Sequence, residues 1–137
     1  MKIVSIIKLF IFLLIFNSHN IANASGGGGG TAASKYYQLS PALVVNVSDK
    51  GKVRHLQIDI QLRLKNPADN SIVNDHKPAI QHELVMLLSG REAKDVRTTQ
   101  GKEALRSQAT KMLKKVIKKN TGRPIITDVY FTSFVIQ

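Results

Sequence analysis

The sequence predicts an α+β domain in which a small, antiparallel-containing sheet carries two helices on one face, in the order β-β-α-α-β. Residues 55–64 alternate strictly between polar and apolar side chains, the period of a strand with one buried face. Ile80, Leu84, Leu87 and Leu88, and later Leu105, Ala109, Met112, Leu113 and Val116, recur instead at helical spacing. Residues 125–136 then return to β-branched and aromatic side chains. Strands before helices before a strand is the pattern of a sheet covered on one side.

The first strand is expected over 39–47, with Leu39, Pro41, Leu43, Val45 and Val47 on one side and the proline near its start. Ser48-Asp49-Lys50-Gly51 supplies a turn, because Gly51 can take the positive φ of a short hairpin loop. The second strand follows, with Leu56, Ile58, Ile60, Leu62 and Leu64 buried and His55, Gln57, Asp59, Gln61 and Arg63 wet. Asn66-Pro67-Ala68-Asp69-Asn70 ends it, Asn74-Asp75 offers a cap for the first helix with Pro78 in its first turn, and Gly90 stops that helix. A connecting piece, 91–96, leads to Thr98-Thr99, either of which can cap the second helix, and Asn120-Thr121-Gly122 closes it. In the last strand both alternate sets, Val129/Phe131/Val135 and Tyr130/Phe134/Ile136, are largely apolar. That reads as a central strand with helices on one side and a partner on the other.

Ahead of this domain, residues 1–24 read as a signal peptide: Lys2 opens a basic start, 9–16 is an unbroken apolar run, and Ala22-Asn23-Ala24 places small residues where a signal peptidase reads, so cleavage falls between Ala24 and Ser25. The alternative is a short membrane anchor, but a spanning helix needs about 20 apolar residues, and this run is interrupted by Lys8 and stops early. Residues 25–36 form a Gly-rich flexible linker, and 37–137 the folded domain. Five consecutive glycines, Gly26 to Gly30, do not make a phosphate loop, which needs a strand before it and a Gly-Lys-Ser or Gly-Lys-Thr ending that opens a helix.

The 137-residue chain carries a formal charge of +11 and no cysteine. A thiolate metal site, a cysteine nucleophile and disulfides are therefore excluded. Removing Lys2 and Lys8 with the leader leaves +9 on the rest, a field that favours anionic partners. Export argues against nucleic acid, and Tyr36, Tyr37, Tyr130, Phe131 and Phe134 are too few to build a stacking groove for single strands. His55, His76 and His82 include no pair at helical ligand spacing, no acid–base pair is legible, and no nucleophile elbow surrounds Ser89, Ser107 or Ser133. The expectation is a chain without catalytic residues, metal or cofactor, and not an enzyme. The residues that stand out for binding are Lys111, Lys114, Lys115, Lys118 and Lys119 on the polar face of the second helix, and Phe131 and Phe134 as oligomer or core-strand residues.

Tyr37-Gln38-Leu39-Ser40-Pro41, Val45-Asn46-Val47, Arg97-Thr98-Thr99-Gln100-Gly101-Lys102-Glu103-Ala104-Leu105-Arg106 and Val129-Tyr130-Phe131-Thr132-Ser133-Phe134-Val135-Ile136-Gln137 together resemble the FliL family of flagellar proteins. The resemblance covers about the last hundred residues. It implies a periplasmic domain similar to the stomatin/prohibitin-type domain, a homo-oligomeric ring around stator units, and a part in flagellar rotation, swarming or chemotactic motility. Partners would be stator and basal-body proteins. The chain departs from the family at its N-terminus, where a full transmembrane helix is usual. The expected place is thus the periplasm, soluble or at the inner membrane, close to the basal body. A second reading is a periplasmic module that binds an anionic polymer or membrane surface through the basic helix.

Overall fold

In the computed structural model, residues 34–137 are described; the expected leader, its Ala24/Ser25 cleavage point and all but the end of the linker lie outside the described residues. The domain is α+β, with a three-stranded antiparallel sheet in the order β1-β2-β3. Strand β1 (Tyr36–Asp49) turns into β2 (Lys52–Leu64); helices α1 (Asn70–Asp75), α2 (Lys77–Leu88), α3 (Ala93–Arg97) and α4 (Thr99–Thr121) follow; and β3 (Ile126–Ile136) completes the sheet. The hairpin loop is only Lys50-Gly51, with φ of 52° and 78°. Two positive φ values match the twist of a two-residue hairpin, so β1 runs on to Asp49, opposite Lys52.

Strand β2 behaves as its alternation predicts: Leu56, Ile58, Ile60, Leu62 and Leu64 are all buried. Leu39, Leu43, Val45 and Val47 of β1 join them. Pro41, expected in that row, is exposed and falls where the β1–β2 register shifts between Leu39 and Leu43, a place where its missing N–H costs no ladder bond.

The sequence places β3 at the centre of the sheet, and the structure corrects this: β2 is central, and β3 pairs with it alone. The apolar residues of β3 are not divided between two faces. Thr127 and Thr132 are extra residues at two register shifts, so that Ile126, Val129, Phe131, Phe134 and Ile136 lie opposite Leu64, Leu62, Ile60, Ile58 and Leu56 on the helix side. Each threonine hydroxyl donates to the strand across from it, Thr127 to Arg63 O at 3.0 Å and Thr132 to Asp59 O at 3.3 Å. The outer face of β3 therefore carries Tyr130, Ser133 and Val135, opposite Gln61, Asp59 and Gln57, while Asp128, beside the Thr127 bulge, turns its carboxylate to α4.

The helical layer has more pieces than expected. A 3-10 turn, Pro67–Asp69, and α1 occupy what reads as a loop, because Val73 is drawn fully into the core. Neither Asn74 nor Asp75 caps α2; His76 holds the junction, its N–H bonded to Ile72 O at 3.1 Å. The connecting piece is likewise a turn of helix, α3, with Ala93 and Val96 buried. Helix α2 buries Ile80, Leu84 and Leu88, and α4 buries Leu105, Ala109, Leu113 and Ile117, with Met112 and Val116 half-buried at the margin. After α2, Gly90 N–H donates to Asn46 O at 2.8 Å and Ser48 N–H to Arg91 O at 2.9 Å, which seals that stretch of the outer edge of β1.

Helix α4 starts at a defined point. The Thr98 hydroxyl accepts the Gly101 N–H at 3.0 Å, and Gly101 lets α4 press on α3: a Cβ there would lie 1.7 Å from the Asp95 carbonyl oxygen. It ends at Gly122, φ 75°, whose N–H returns to Lys118 O at 2.9 Å. Since backbone rather than a flexible side chain occupies that space, Gly101→Ala is expected to cost about 3 kcal/mol. Gln100→Ala, exposed on the same turn, should change stability by less than about 0.5 kcal/mol. Urea unfolding of the two variants checks this, and equal midpoints would refute the close-packing role of Gly101.

Candidate functional site

The surface that the fold builds most distinctively is the seam between α4 and β3. Core residues fix one face of α4 against the sheet, so the lysines spaced between them point away from it: Lys111, Lys114, Lys115, Lys118 and Lys119 are all exposed. Among the described residues every salt bridge uses an arginine, namely Arg97–Asp49, Arg106–Glu103, Arg106–Asp128 and Arg123–Asp69. The α4 lysines take part in none of them. The planar forks of Arg97, Arg106 and Arg123 are tied to carboxylates, and these lysines remain as an unpaired row of charge.

Arg106 and Asp128 clamp the seam. Arg106 donates to both carboxylate oxygens of Glu103, at 2.6 and 2.9 Å, and to Asp128 on β3. Asp128 also accepts from the Thr110 hydroxyl at 3.1 Å and from the Val129 N–H at 2.9 Å. Thr110 accepts that N–H as well, at 3.1 Å, so the first part of the β3 edge is capped by α4. Partial burial pushes the Asp128 pKa up, but the Val129 N–H, the Thr110 hydroxyl and Arg106 outweigh it and hold the carboxyl below its ordinary range. Glu103 is held low by its hydrogen bonds to Arg106, and Asp49, at the hairpin, by those to Arg97.

Two grooves flank this clamp. One, of about 320 Å³, lies between the first turns of α4 and residues 130–134 of β3; the other, of about 370 Å³, is lined by Arg106, Lys111, Lys114 and Asp128. Phe131 and Phe134 sit at the first groove, half-buried and edge to face with ring centres 5.4 Å apart. The Lys102 ammonium lies 4.9 Å from the Phe134 ring centre. Both phenylalanines thus extend the core to the rim of a groove. Sequence reasoning found the lysines and phenylalanines but not Arg106 and Asp128 as partners, 22 residues apart; its only signal for Arg106 was membership in the resembling segment.

Among the described residues no group of three or more His, Asp or Glu side chains comes together as a metal site. His76 Nδ1 lies 2.9 Å from Ile72 O, while His55 and His82 are exposed on β2 and α2. No helix among the described residues is long and apolar enough to cross a membrane.

Residues 36–137, every element of the described fold, match the family described as "Flagellar basal body-associated protein FliL". The "Flagellar protein FliL" of Aquifex aeolicus (strain VF5) is 29% identical over 101 residues, which cover 74% of this chain and 60% of that protein. The "Flagellar protein FliL" of Escherichia coli (strain K12) is 26% identical over 121 residues, covering 88% of this chain and 77% of the relative. The Shigella flexneri protein of the same name is similar to the same extent.

Because the folded state holds the Asp128 carboxyl below its ordinary value of 3.8, the clamp adds stability above about pH 4 and loses it as pH falls through the folded-state value. Asp128→Asn should cost about 1 kcal/mol at pH 7, a figure reduced for its partial exposure. It should also flatten the acid limb of a plot of unfolding free energy against pH. An unchanged acid limb would show that Asp128 is not a stabilising group.

Proposed function

The chain belongs to the FliL family of flagellar basal body-associated proteins, and from that premise we propose that it is a non-enzymatic accessory of the flagellar motor, acting by binding. The observation that carries the reading is the family match across 36–137. It spans the whole of the described domain, including the Thr98–Gly101 helix start and the Arg106–Asp128 clamp. In this reading the domain lies in the periplasm beside the basal body, associates with stator units, and supports rotation and swarming. Copies of the chain assemble in a ring, as a stomatin/prohibitin-type domain does by resemblance, with the domain kept rigid by the clamp.

Charge and geometry support binding rather than catalysis. The grooves along α4 are open and lined by cations, hydroxyls, the rings of Tyr130, Phe131 and Phe134, and two carboxylates, Glu103 and Asp128, already paired with Arg106. The Lys111/Lys114 stretch of α4 offers unpaired positive charge beside β3, suited to acidic protein surfaces.

Deleting the chain should leave filaments assembled but reduce swarming, and a fluorescent fusion should form foci at basal bodies that depend on stator subunits. Reversing Lys111 and Lys114 to Glu should leave the unfolding free energy within about 0.5 kcal/mol, because both side chains are exposed, while weakening focus formation. Foci that persist without stators would refute the stator contact. Foci of full intensity in the charge-reversed strain would remove the basic groove from the interface.

A further inference from the structure

The end of the domain at which the described chain begins is held together by four long-range contacts. Leu64 N–H donates to Lys35 O at 2.6 Å, Lys65 N–H to Ile125 O at 2.8 Å, the Asn70 side-chain amide to Ser34 O at 3.2 Å, and Arg123 to the Asp69 carboxylate at 2.7 Å. Residues 34–36, 64–70 and 122–125 therefore share one pole. The last turn of α4 runs into it through Gly122, which brings Lys118 and Lys119 there. Lys35, Lys65, Lys118, Lys119 and Arg123 are all exposed. Of the nearby acids, Asp69 is buried and bound by Arg123, leaving Asp75 on α1 exposed.

The helix dipole accounts for cations in the last turn of α4, but not for Lys35 and Lys65, which come from the start of β1 and the end of β2. Tyr36, 47% exposed, follows Lys35 in the chain and sits opposite Arg63, with its ring 6.1 Å from that of Tyr130. Tyrosines next to lysines suit the depth of lipid headgroups, where an apolar ring and a polar tip are both accommodated. The described chain begins at this pole, with Ser34, and the sequence before it carries the apolar run 9–16.

We propose that this pole is a docking surface for anionic phospholipid headgroups, on which the domain stands with the Lys50-Gly51 hairpin directed away from the bilayer. The surface uses no motor partner, so it stands or falls separately from the stator reading. It gives the domain a hold on the membrane whether or not the leader is removed.

The test is co-sedimentation of the full-length chain with vesicles of phosphatidylcholine alone or mixed with phosphatidylglycerol. The readout is the part of the binding that depends on the anionic lipid. Each cation near such a surface contributes about a fivefold factor, so Lys118→Glu with Lys119→Glu should lower that part by about tenfold or more. Lys35→Glu with Lys65→Glu, on different elements, should do the same without touching α4. Lys50→Glu with Lys52→Glu, an equal charge change at the hairpin, should have little effect, and raised salt should abolish the anionic component. Equal binding to the two kinds of vesicle, or equal losses from polar and hairpin reversals, would each overturn the proposal.

Discussion

A strand whose alternate side chains are Leu56, Ile58, Ile60, Leu62 and Leu64, none more than 1% exposed, must be covered along its whole length on one face, and here it is also paired on both edges. The remaining elements answer to that demand. Strand β1 supplies Leu39, Leu43, Val45 and Val47 beside it, β3 shifts register twice to keep its apolar residues on the same side, and α2 and α4 form the lid. A domain of about a hundred residues without disulfides depends on one such core for its stability.

A three-stranded sheet leaves two edges, and each is managed differently. The edge of β1 is bonded at Asn46 and Ser48 by the segment after α2. The edge of β3 is capped at Val129 by Thr110 and Asp128. The Arg106–Asp128 clamp is thus part of the sheet's edge protection as much as an ion pair between helix and strand. A basic surface and a protected edge are compatible because Arg97, Arg106 and Arg123 are bound to carboxylates, while Lys111, Lys114, Lys115, Lys118 and Lys119 are left to solvent.

The family segments acquire physical meaning in this frame. In Thr98-Thr99-Gln100-Gly101-Lys102-Glu103-Ala104-Leu105-Arg106, the threonine caps, the glycine admits the Asp95 carbonyl, Lys102 covers Phe134, Glu103 orients Arg106, and Leu105 enters the core. The terminal segment from Val129 supplies the strand that this helix start packs against. The two segments are far apart in the chain and adjacent in the fold, which is why they carry the resemblance jointly.

The sequence by itself determined the fold class, the buried face of β2, both limits of α4, the exclusion of thiol chemistry and the exposed lysine row. Each is written in a local signal: a period of two, a helical period, a cap, a glycine at positive φ, or a composition. Only the tertiary structure decided that β2 rather than β3 is central, that β3 has one apolar face, and that Arg106, Asp128, Arg123 and Asp69 are partners. A register shift exists only when two residues oppose one on another strand, and Thr132 and Asp59 are 73 residues apart. Read along the chain, the phase change after Phe131 looks like apolar residues on both sides. Ion pairs across the fold carry no period at all, because they are fixed by where the backbone brings two side chains and not by the spacing between them.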